Sequence, residues 1–84
     1  MTLDERARAV RTREDLIAFL ECLSADYAAN GATWDNADLA SFLVAMAAWA
    51  ADMDGWYNNH GEELATVAPW RVLADILMAA RVYE

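Results

Sequence analysis

A chain of 84 residues makes one domain, near the lower limit of what folds without help. It is 58% hydrophobic, with four tryptophans, three tyrosines, four methionines and three glycines, the composition of a packed globule rather than a disordered segment. Fourteen acids oppose six arginines and no lysine, a formal charge of −8; such a body repels phosphate backbones and anionic bilayers, so the expectation is no nucleic acid and no membrane.

The charge is uneven. Residues 1–13 hold four of the arginines and only two acids, a net +2, which leaves −10 on residues 14–84. No apolar run approaches the roughly 18–20 residues of a membrane span. The opening "MTLDERAR" puts acids where a secretory signal is basic and then apolar, so the chain is expected in the cytoplasm. Cys22 has no partner within the chain and reads as a small core hydrophobe.

Residues 1–11 form a polar lead-in, in which Thr2 and Glu5 have the spacing of a capping box and leave room for a short helical turn. Residues 12–84 read as a single helical domain. Its first element, "TREDLIAFLECLSADYAANG", opens on Thr12 as cap, with Glu14 and Asp15 at the positive end of the helix dipole. Leu16, Phe19, Leu20, Leu23 and Tyr27 make its apolar stripe, Glu14, Glu21 and Asp26 face water, and Gly31 stops it.

Asp35 or Asn36 is expected to cap the second element. Leu39, Phe42, Leu43, Met46, Ala50, Met53 and Tyr57 then form one stripe, widened by Trp49 and Trp56. Its alanines favour helix and allow a neighbour to approach closely. Asn58, Asn59 and Gly61 suit the exit. The third element opens near Thr66, with Pro69 in its first turn and Val72, Leu73, Ile76, Leu77, Ala80 and Tyr83 along its face. No run alternates with the period of a strand. The predicted fold class is all-α: a compact bundle of three main helices behind a short N-terminal turn.

Most chemistry-bearing side chains cluster in "DMDGWYNNHGEE". Counted from Asp52, positions 1, 3 and 12 are Asp52, Asp54 and Glu63, three ligand positions of a helix–loop–helix calcium site. Trp56 at position 5 offers no side-chain oxygen, and Tyr57 stands at position 6, where that loop turns on glycine. A metal or small-molecule site using Asp52, Asp54, His60 and Glu63 therefore ranks last. One His and one distant Cys do not make a zinc set, and no phosphate loop or nucleophile elbow is present. The expectation is no catalytic residue, no metal and no cofactor. Asp75 stands four residues from Arg71, the spacing of a bridge along one helix; Asp75 could instead reach a buried indole N–H or a backbone N–H in a loop.

Three blocks, "TREDLIAFLECL", "WDNADLASFLVAMAAWAADMDGWYNN" and "PWRVLADILMAARVYE", resemble a family of small bacterial proteins of unknown function. The marks fall on Phe19, Trp34, Asn36, Leu39, Leu43, Ala45, Trp49, Gly55, Tyr57 and Asn58, then on Pro69, Trp70, Ala74, Ala79, Ala80, Tyr83 and Glu84. Pro69-Trp70 is one residue shorter than the family's usual Pro-x-Trp. The resemblance implies one compact helical domain and carries no activity or cofactor with it.

With no enzyme expected, two readings remain. The first is an acidic binding module that docks on a basic protein partner, as toxin-neutralising immunity proteins or regulatory proteins do. Its candidate interface is Asp52, Asp54, Trp56, Glu62 and Glu63, acids beside aromatic side chains. Trp49 and Tyr57 read as core. The second is a structural homodimer formed through the alanine-rich flank of the long middle helix.

Overall fold

The computed structural model describes residues 1–83. It is all-helical: α1 (Leu3–Ala9), α2 (Arg13–Asn30), α3 (Leu39–Asn59) and α4 (Pro69–Ala80), with 3-10 turns at Gly31–Thr33 and Leu64–Thr66 and no strand among the described residues.

Local chemistry sets most of the ends. Thr2 and Glu5 close a capping box on α1, and Thr12 and Asp15 close another on α2. Pro69 occupies the start of α4, where its missing N–H is no loss. The cap of α3 is Asp38, whose carboxylate accepts the Ser41 N–H at 2.8 Å, rather than Asp35 or Asn36. Asn36 works at long range instead. Its amide donates to the Ala80 and Tyr83 carbonyls at 3.0 and 2.7 Å, and its backbone N–H donates to the Arg81 carbonyl. One loop side chain thus closes the open end of α4.

Helix α4 lies at the centre. It packs on α1, α2 and α3, α1 also packs on α2, and the backbones of α2 and α3 stay apart. On one side of α4, Ala7, Val10, Leu16, Phe19, Leu23, Trp34 and Ala74 form a buried cluster, with Phe42 and Leu77 against it. On the other, Trp49, Tyr57 and Val67 form a second, joined by Met53, Trp56 and Ile76. The wedge between α2 and α3 is aromatic: Trp34 stacks on Phe42 at 5.9 Å and meets Tyr27 edge-on at 5.1 Å. The Trp34 indole donates to Asp26 at 2.8 Å, so Asp26 anchors the following loop besides facing water.

Two expectations about faces change. On α2, Leu16, Phe19 and Leu23 are buried, but Leu20 and Tyr27 are exposed. On α3 the buried side is Ala45, Trp49 and Tyr57, while Leu39 and Leu43, expected in the stripe, stand 73% and 53% exposed. The N-terminal turn is a full helix, and Ala7 and Val10 are among the most enclosed residues of the first cluster.

Truncation before Thr12 therefore removes core, not a tail. Urea melts should show the shortened chain less stable by about 2 kcal/mol or more, the scale of two lost buried apolar side chains.

Candidate functional site

Helix α3 leaves the core by a turn that sets up a buried ionic group. Gly61 adopts φ 74°, the left-handed region that suits glycine. The Glu62 N–H then reaches the Tyr57 carbonyl at 2.9 Å and the Gly61 N–H the Asn58 carbonyl at 3.1 Å, the paired bonds of a Schellman ending. His60 caps the exit by contact with the Trp56 carbonyl, 2.7 Å from Nδ1, and stacks on the Trp56 ring.

That turn delivers Glu62 to Arg71. The two make a bidentate fork, Nη1 to Oε2 at 2.6 Å and Nη2 to Oε1 at 2.9 Å. Arg71 and Asp75, 7% and 5% exposed, sit one turn apart on α4 with Nε 3.3 Å from Oδ2. The Tyr57 hydroxyl donates to the same Oδ2 at 2.7 Å. The i,i+4 bridge expected between Arg71 and Asp75 is present, but inside the protein and shared with a tyrosine.

Electrostatics follow from enclosure. Burial pushes the Asp75 carboxyl above its ordinary value, against the pull of the Tyr57 hydroxyl and Arg71. Burial, and then the bond to Asp75, raise the Tyr57 phenol. The Arg71 fork holds Glu62 below the usual carboxylate range. The Tyr57 hydroxyl, both Glu62 oxygens and Asp75 Oδ2 each have a partner inside the group.

The residues expected to form the interface separate. Glu62 is committed to Arg71, and Asp52 accepts a hydrogen bond from the Tyr83 hydroxyl. Trp56 is half-buried, edge-on to Trp49 at 5.6 Å and to Tyr57 at 5.0 Å. Asp54 and Glu63 are exposed. The helix runs unbroken through Gly55 to Asn59, so Asp52 and Asp54 diverge around its axis by about 200°. No three His, Cys, Asp or Glu side chains gather closely enough to hold a metal ion among the described residues.

The sequence marks the alanine-rich flank of α3 as a contact surface but not the part that Leu39, Leu43 and Val44 take in it. Ala40, Leu43, Val44, Ala47 and Ala51 are exposed there, Val44 at 71%, with Leu39 at the N-terminal end. Not one charge occurs from Leu39 to Ala51. The signal was present in the sequence as Val44 and Ala47 beside a stripe already filled by tryptophans.

The Arg71→Leu variant strands two carboxylates, one of them buried. We expect a loss of about 3 kcal/mol at pH 7, from the typical cost of breaking a buried pair. The sign with pH follows from the two acids. Asp75, already raised above 3.8, then takes up a proton more readily, and Glu62 loses the fork that kept it below 4.5. Acidification into that range neutralises both, so denaturant melts should show a smaller deficit there than at pH 7.

Among the sequence marks, Trp34, Asn36, Trp49 and Tyr57 hold the architecture through the contacts above, and Glu84 lies outside the described residues. No curated protein and no solved structure matches the chain. One family model, described as a family of unknown function (DUF7660), matches residues 12–84. That span takes in α2, α3, α4 and the ionic group between them, and the chain belongs to this family.

Proposed function

We propose that this chain is a non-enzymatic binding module that docks on a basic protein partner, with the outer face of α3 as its contact surface. The observation that carries the reading is an exposed apolar strip, Ala40 to Ala51, on an acidic helix that has no cation of its own. Neither lysine nor arginine occurs between Arg13 and Arg71. Asp35 and Asp38 precede the strip and Asp54 follows it, all exposed. An apolar centre with a charged rim is the usual anatomy of an interface, and the rim steers a cationic partner into place.

The uncharged stretch is about 20 Å long at 1.5 Å per residue. That length suits a helical segment laid along α3, with small and aliphatic side chains on one side and Lys or Arg at its ends. Gly55 supports the same reading. A Cβ built there meets nothing within 4 Å, so no internal contact requires glycine in mid-helix. A partner backbone passing close to α3 would require it. A second copy fits less well, because antiparallel pairing of two α3 helices sets Asp38 against Asp54 with no cation between them. A regulatory or immunity-type role is consistent with such a module.

The test is titration with a cationic amphipathic helical peptide and its glutamate counterpart. The cationic peptide should bind saturably, lose affinity as salt rises, and fail to bind Val44→Glu, a change at an exposed position; the acidic peptide should not bind. Gly55→Ala should raise unfolding stability by about 0.5–1 kcal/mol while weakening the peptide. Equal binding of both peptides would sink the reading, as would a Val44-sensitive dimer in sedimentation with no peptide bound.

A further inference from the structure

On the opposite side of α3 from the strip, a cleft of about 290 Å³ opens between α1, α3 and α4. Its inner wall includes Trp49, Trp56, Met78 and Asp75, and Asp4 and Arg8 of α1 stand at its edge. Asp75 receives both its partners, the Tyr57 hydroxyl and Arg71, on Oδ2. Its Oδ1 has no hydrogen bond among the described residues, although the residue is only 5% exposed. Arg71 Nε, not Asp75 Oδ1, is the fully enclosed side-chain atom without a hydrogen bond; the carboxylate keeps an opening to the cleft.

Charge points the same way. One guanidinium, Arg71, serves two carboxylates, the enclosed Asp75 and the partly exposed Glu62. Arg81 also borders the cleft, but its head is drawn off: Nε donates to the Met78 carbonyl at 3.0 Å, and the guanidinium lies over Trp34, 3.7 Å from Asp26. Arg8 is exposed, on the α1 edge of the opening. A buried, half-satisfied carboxylate beside two indole rings is the arrangement that receives an N–H cation with an apolar body.

We infer that this cleft binds a small organic ammonium, its N–H on Asp75 Oδ1 and its apolar body against Trp49 and Trp56. The site is separate from the docking strip, and either can be wrong without the other. A ligand of arylalkylamine size fits the volume, and Asp4 adds a second carboxylate at the entrance.

The probe is 2-phenylethylammonium, compared with 2-phenylethanol and 3-phenylpropionate, read by the indole N–H resonances of Trp49 and Trp56. Both signals should shift saturably with the amine, with a Kd at least about tenfold below that of the alcohol, the scale of one charge-assisted hydrogen bond. Arg8→Ala removes an exposed cation from the edge and should tighten the amine about two- to fivefold, as for a surface charge pair. Asp75→Asn should bring amine and alcohol level; since that change touches the core, Arg8→Ala decides where the variant fails to fold. Unmoved indole signals at about 10 mM amine, equal or tighter binding of the carboxylate, or weaker amine binding to Arg8→Ala would each overturn the site.

Discussion

A single guanidinium holds two helices in register. Arg71 is almost fully enclosed, and its fixed charge can remain buried there only while Glu62 and Asp75 stay within reach. Glu62 arrives by way of the left-handed Gly61, Asp75 by its place one turn along α4, and Tyr57 by its place near the end of α3. The exit of α3 and the first turns of α4 are therefore fixed against each other. Apolar contacts tolerate small slips, whereas a bidentate fork at 2.6 and 2.9 Å does not.

With that register set, α3 acquires two unlike sides. Its inner side carries Trp49, Trp56 and Tyr57 into the second cluster and onto the wall of the cleft. Its outer side carries no charge for more than three turns, from Leu39 to Ala51, and is left open by the described residues. A protein with so many acids leaving one helix face without any is an arrangement that solubility does not explain. The same rotation of α3 that buries the indoles turns Val44 and Ala47 to water.

Much of the architecture was legible because it is local. Thr2 with Glu5, Thr12 with Asp15, Pro69 and Gly61 each act within one turn of their own position, and each marks a helix end as its spacing suggests. What failed is what depends on distant chain. Asp35, Asn36 and Asp38 are chemically similar starters, and the choice of Asp38 goes with Asn36 being held by carbonyls 44 and 47 residues away. Leu39 and Leu43 were placed inside because periodicity reports hydrophobicity, not burial. For Arg71 and Asp75 the spacing offered a bridge along one helix or a buried partner for Asp75, and one sequence cannot show that Tyr57 and Glu62 converge on them. Of the expected interface, Glu62 and Asp52 already have partners, while Asp54 and Glu63 remain open to solvent.

The central place of α4 has a consequence during synthesis. Because the backbones of α2 and α3 do not pack on each other, the inner side of α3 finds its cover on α4. The cluster of Trp49 and Tyr57 lacks Val72, Ile76 and Ala79 until the segment from Pro69 onward has been made, whereas Ala7, Val10, Leu16, Phe19, Leu23 and Trp34 of the other cluster all precede α3. The indole-rich side of α3 is therefore the last part of the core to gain its wall.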